Sequence, residues 1–194
     1  MSITRTLVYV AAFTAAAISG GAVSQDVARQ SMQETDPPFG GEANVAYAAD
    51  LWAALEAARM VGPQSLRAVP YKGREPHGAV LVTLEGRLGV HGHDGIAIVK
   101  KNYLADGLTV AEVAAAPDEN LASITVMYRR AGGYDPQNAD WYWAKYASDG
   151  SLQENPKGMA LAGRVAKGAE RGCIACHAGA EGGDYVFNHD RLAE

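Results

Sequence analysis

Apolar positions fall into three regimes along the chain. Leu7–Ile18 is an unbroken, mostly apolar run. As a helix those twelve residues rise about 18 Å, too short for a hydrocarbon core of about 30 Å. From Asn44 to Met60 the apolar positions Val45, Ala49, Trp52 and Leu55 recur at helical spacing, which predicts a helix capped by Asn44 and stopped by Gly62-Pro63. Arg67–Gly78 is punctuated by Pro70, Gly73 and Pro76 and reads as a loop. Beyond it the period moves towards two. Ala79–Leu84 and Ile96–Lys100 are short β-branched runs bounded by glycines, with Lys100 ending its strand. Ser123–Arg129 alternates, with Ile124, Val126 and Tyr128 on one face. Trp141–Tyr146 places Trp141 and Trp143 on one face and Tyr142 and Tyr146 on the other, so it is covered on both sides, by a dimer seam or the wall of a bound group. Thr109–Ala116 fits helix or strand, since its valines and its alanine and glutamate pull opposite ways. Four or five strands close in sequence, separated by turns such as Asp149-Gly150, predict a β-rich α+β fold: an antiparallel sheet with a few helices.

The organisation follows. Arg5, the apolar run and Ala22-Val23-Ser24 form the charged, apolar and small-residue parts of a secretory signal, residues 1–24, with an uncut anchor as the alternative. Residues 25–41, polar and carrying Asp36-Pro37-Pro38 and Gly40-Gly41, read as a flexible leader, and residues 42–194 as one domain. No later segment is apolar enough to span, so cleavage near Ser24 predicts an exported, periplasmic protein with no membrane attachment. The formal net charge of −5 becomes −6 once Arg5 is removed. That acidic balance argues against nucleic acid as a partner. An apolar fraction of 48% excludes wholesale disorder, and two cysteines exclude a disulfide-stapled scaffold.

Those two cysteines stand in Cys173-Ile174-Ala175-Cys176-His177, the C-x-x-C-H signature of covalent haem c attachment. Two thiols at this spacing each add to one vinyl group of a single haem, and the following histidine supplies an axial nitrogen to the iron. The alternatives are weaker. A redox C-x-x-C calls for a preceding strand in a βαβ unit, which is missing here. Zinc needs four ligands, and adjacent Cys176 and His177 do not easily share a tetrahedron. A disulfide would close too small a loop to stabilise much. One covalent haem is therefore expected, held by Cys173 and Cys176 with His177 on the iron. No methionine follows His177, so a second axial methionine must come from upstream. Met159, in a loop, is the plausible one, while Met127 reads as strand packing. With His177 the only strong protein ligand, one iron position stays open to a small molecule.

The late haem motif, together with Asp94–Lys100, Thr125-Val126-Met127-Tyr128, Asp140–Tyr146 and Asp184-Tyr185-Val186-Phe187, resembles the cytochrome P-460 and cytochrome c′-beta family over about Pro76 to Asp190. The resemblance implies a β-rich α+β fold, usually a homodimer, with one haem c and an open distal pocket. One branch oxidises hydroxylamine and carries a bond from a lysine side chain to the haem, the lysine matched here by Lys100. The other branch binds nitric oxide in an apolar pocket.

Individual residues weigh as follows. Lys100 is either at the haem edge or, with Lys101, an ordinary surface lysine. His77, opening the first strand, can reach a propionate or the distal pocket, or be a plain loop histidine. His91 and His93 read as solvated, as does His189. Hydroxylamine oxidation needs a proton acceptor, for which Glu170, three residues before Cys173, stands first and Glu112 second, each against a solvated surface acid. Arg171 or Arg164 can pair with a propionate. Three functions result: a haem c oxidoreductase acting on hydroxylamine or a related nitrogen species and passing electrons to a soluble redox partner, a nitric oxide binder, or an electron-transfer cytochrome using Met159.

Overall fold

Strand alternation builds one six-stranded antiparallel sheet in which each strand pairs with the next in sequence. The strands are β1 (Tyr71–Lys72), β2 (Val80–Val90), β3 (His93–Tyr103), β4 (Leu121–Arg129), β5 (Trp141–Tyr146) and β6 (Ala162–Gly163). Among the described residues three α-helices accompany them, α1 (Glu42–Ala57), α2 (Val110–Ala115) and α3 (Cys173–His177), with a short 3-10 turn at Pro136–Asn138. This computed structural model describes residues 37–187. The stretch read as a signal, most of that read as a leader, Met32 and His189 lie outside the described residues. Within the stretch read as leader, Phe39 bridges Gly163, and Gly40 and Pro38 exchange backbone hydrogen bonds with Ala162 and Arg164, which extends the sheet edge.

The expected β-rich α+β fold is the one observed, but β2 and β3 are nearly twice as long as the sequence reading. They form one hairpin joined at His91-Gly92, both at positive φ (50° and 77°), with Val90 opposite His93. A two-residue loop with both φ values positive suits the strand twist. Gly86 and Gly95, two of the glycines bounding the short runs read from the sequence, lie inside the strands. Gly95 is required by close packing: a Cβ there would meet the Arg129 carbonyl oxygen at 2.2 Å and the Tyr128 ring at 2.8 Å. Lys100 consequently sits inside β3, with Lys101, Asn102 and Tyr103 still to come, rather than at a strand end.

The two sheet faces have different partners. On one, Ala97, Val99, Val126, Tyr128, Tyr142, Ala144 and Tyr146 pack against Tyr47, Ala48, Leu51 and Leu55 of α1. The Tyr142 hydroxyl donates to the Asn44 carbonyl at 2.6 Å and the Tyr146 hydroxyl to the Ala48 carbonyl at 2.9 Å, locking α1 to β5. Helix α1 begins at Glu42 behind Gly41 rather than at Asn44, and ends at Ala57, where Arg59 turns to positive φ. On the other face Ile98, Met127, Trp141 and Trp143 pack against Val165 and Ile174. The aromatic strand is thus covered on both sides within a single chain, with its tryptophans and tyrosines segregated as the alternation predicts. The ambiguous segment is helix α2, opened by a capping box in which Thr109 and Glu112 bond reciprocally.

Candidate functional site

The second sheet face is where the chemistry collects. Register places Thr83 opposite Lys100 and Glu85 opposite Ile98, then Lys100 opposite Thr125 and Ile98 opposite Met127, then Thr125 opposite Lys145 and Met127 opposite Trp143. Alternation turns these side chains to one side of the sheet. A cavity of about 290 Å³ lies between that face and the C-terminal segment. Its walls include Cys173, Cys176 and His177 of α3 together with His77, Glu85, Lys100, Lys145 and Trp143. Ile98, Met127, Leu161, Val186 and Phe187 make much of the remainder apolar.

Helix α3 is held by specific contacts. Gly172 precedes it at φ 127° and ψ −170°, a conformation open essentially to glycine alone, and a Cβ there would lie 2.4 Å from the Ala166 Cβ. Ile174 is the buried anchor of the helix. His177 Nδ1 donates to the Tyr185 carbonyl oxygen at 2.7 Å. That bond puts the ring proton on Nδ1 and the lone pair on Nε2, the arrangement a metal-ligating histidine needs. The Tyr185 hydroxyl in turn donates to the Gln137 carbonyl at 3.0 Å, with Asn138 Oδ1 at 3.1 Å, and the Trp141 indole donates to the Asp184 carbonyl at 2.7 Å. Behind them the buried Asp135 carboxylate accepts from Asn138 Nδ2 at 2.8 Å and pairs with Lys167 at 2.5 Å. The His177 ring also stands edge-to-face against Trp143 at 4.8 Å and against Phe187 at 5.4 Å.

His77 joins this group from the loop before β2, its ring perpendicular to that of His177 at 6.1 Å. Burial, with the charges of Lys100 and His177 nearby, pulls its pKa down to about 4, so it is neutral at pH 7. Burial also raises the Cys173 thiol above its ordinary value. Neither cysteine is in a disulfide.

The model of the Cytochrome P460 family matches residues 60–188, from just after α1 to just past Phe187. The chain belongs to the cytochrome P460 family. No curated protein and no solved structure matches it. Family membership makes it a haem-iron cytochrome related to the hydroxylamine-oxidising cytochromes. The residues present fit that group. Both thiols and His177 border the same apolar cavity, and Trp143 Nε1 on its wall is buried with no protein acceptor. Cys173, Cys176 and His177 are the residues that would hold a haem, and His77, Lys100 and Lys145 are the basic side chains on the same cavity wall.

Other residues singled out in the sequence fall elsewhere. Glu170 and Arg171 are exposed and neither lines the cavity. Glu112 is spent on the α2 capping box, and Arg164 stacks over Tyr134 at 6.0 Å. Met159 lies in a loop outside the cavity walls, whereas Met127 is on them. His91 Nε2 meets Asp50 at 2.7 Å and His93 Nε2 the Arg129 carbonyl at 3.1 Å, and among the described residues no cluster of metal-ligating side chains forms. The carboxylate that does line the cavity, Glu85, was missed. Its signal was present: Val80, Val82 and Leu84 set the phase of β2, and continuing the alternation through Gly86 puts Glu85 on the face of Thr83.

Proposed function

We propose that this chain is a periplasmic c-type cytochrome with one covalent haem and an open distal position, oxidising hydroxylamine or a related small nitrogen compound. The observation that carries the reading is the gathering of Cys173, Cys176, His177 and Lys100 around one cavity. Bound there, haem iron supplies a one-electron redox centre and a coordination position for a small nitrogen ligand. Cys173 and Cys176 tether it, and His177, fixed by its bond to Tyr185, ligates the iron. Lys100 is the side chain for the lysine–haem bond of the hydroxylamine-oxidising branch. Electrons leave the substrate with protons, so a base is needed within reach. Glu85 takes that role from the cavity wall, and Glu170 is the acid that precedes the haem motif. Electrons pass to a soluble partner, and the protein works as a homodimer.

A second reading, nitric oxide binding without turnover, is favoured by the apolar wall of Ile98, Met127, Leu161, Val186 and Phe187. One experiment separates the two. The purified protein is digested, and haem-linked peptides are mapped beside an assay of hydroxylamine-dependent reduction of a soluble acceptor. Oxidation requires the Lys100 peptide joined through haem to the Cys173–His177 peptide, and turnover that Lys100→Ala suppresses. Full recovery of unmodified Lys100 peptide, with nitric oxide binding ferrous iron and no turnover, selects the second reading.

A further inference from the structure

Lys100 and Lys101 are consecutive in β3 and therefore open to opposite faces of the sheet. Lys100 belongs to the haem cavity. Lys101 stands in register between Val82 and Ile124 on the other face, and lines a second cavity of about 470 Å³. That volume is within the range of about 300–1,000 Å³ common to small-molecule sites.

The second cavity is a built pocket. The segment from Gly62 to Pro70 forms one wall, β2 and β3 the floor, and α2 with Pro117 and Asp118 the other wall. Val82, Tyr103 and Val113 form a separate small core beneath it. Leu66 and Val69 on the first wall are exposed, Val69 by 84%. Polar groups converge at one place. The Ser65 hydroxyl donates to the Met60 carbonyl at 3.0 Å, which leaves its oxygen to accept from Lys101 Nζ at 2.7 Å. The ammonium is thereby held in one orientation with two further N–H donors. The Tyr103 hydroxyl donates to the Pro117 carbonyl at 2.9 Å. The charged residues lining the cavity are Lys101, the exposed Arg67 and Asp118, two cations to one carboxylate. Burial lowers the Lys101 pKa despite the opposing pull of Asp118, as for an ammonium short of negative charge.

We infer that this second cavity binds a small monocarboxylate with a short apolar tail, its carboxylate on Lys101 and its tail against Val82, Val113 and Leu66. An amine ligand would suit Asp118 alone and would meet two cations. The site is independent of the haem reading, since it lies on the other sheet face and shares no wall residue with the first cavity.

The test titrates hexanoate, and separately hexylamine, into the haem-loaded protein by isothermal titration calorimetry. Hexanoate should bind, with affinity at least tenfold weaker in Lys101→Met and blocked by Ala114→Trp, which fills the mouth from the exposed side of α2. Circular dichroism and the haem spectrum should match the parent in both variants. If Lys101→Met fails to fold, Ala114→Trp alone decides. No hexanoate binding to the parent, binding unaffected by the folded variants, or a preference for hexylamine overturns the inference.

Discussion

Glu85 is the carboxylate whose position bears most directly on the proposed turnover. It projects from the middle of β2 onto the haem-cavity wall, diagonal to Lys100 across the β2–β3 register. A proton acceptor contributes about 10²–10⁴-fold to rate when it is placed at the reacting group. Glu85→Gln keeps size and shape while removing the base, so it should lower the hydroxylamine oxidation rate by about 10²-fold. Ferrous nitric oxide binding should remain within about twofold, because ligation itself moves no proton. Stopped-flow spectroscopy checks both. An unchanged rate in Glu85→Gln, with the loss appearing in Glu170→Gln, would return the role to the acid beside the haem motif. The residue-level reading of the sequence divided along a clear line. Cys173, Cys176 and His177 could be singled out because their spacing is local, three side chains within five consecutive residues, and the structure puts all three on one cavity wall. The distal residues could not be, because they come from β2, β3 and a loop whose meeting depends on register.

At the level of elements, glycine was the main source of difference. Gly86 and Gly95 bounded the two short runs read from the sequence, yet β2 and β3 run through them, and at Gly95 the missing side chain is what lets the Tyr128 ring approach. Alternation in β5 was legible because both of its faces are aromatic and buried. Helix α2 was left undecided between helix and strand, and the signal that decides it is the capping-box spacing of Thr109-Val110-Ala111-Glu112. Thr109→Ala removes that cap and should cost about 1 kcal/mol in denaturant unfolding, leaving the haem spectrum unchanged. The hydrogen bonds from Thr109 hold the Glu112 carboxyl below its ordinary pKa. A depressed folded-state value means stability that is present above the unfolded pKa and lost as pH falls through the folded one. The parent's advantage over Thr109→Ala should therefore shrink in acid, and an advantage independent of pH would contradict the capping account. Gly172 makes a sharper demand. Gly172→Ala must leave φ 127° and displace Ala166, tilting α3 against its cavity. Covalent haem incorporation, read as the haem-to-protein absorbance ratio, should fall severalfold. Normal incorporation would show that α3 tolerates reorientation.

Across the whole described chain, stability is divided by the sheet. One face carries the larger core, with α1 fastened by the Tyr142 and Tyr146 hydroxyls. The other carries a smaller core closed by a C-terminal segment whose one helix among the described residues is five residues long and buries Ile174 alone. An isolated helix that short does not hold itself, since nucleation outweighs so few hydrogen bonds. What holds it is the set of bonds from His177 to Tyr185, from Tyr185 to Gln137 and from Trp141 to Asp184, together with whatever fills the cavity. A group bound only by the folded state stabilises most the elements that touch it. Removing haem should therefore loosen one face selectively. In the Cys173→Ala, Cys176→Ala double variant, freed of haem, hydrogen exchange followed by mass spectrometry should become fast over residues 164–187. The paired amides of β3, β4 and α1 should stay protected near the parent's level. Uniform loss of protection over the sheet and α1 would mean that both faces unfold as one unit, and the C-terminal segment would then be integral to the fold rather than a cover secured by its cofactor.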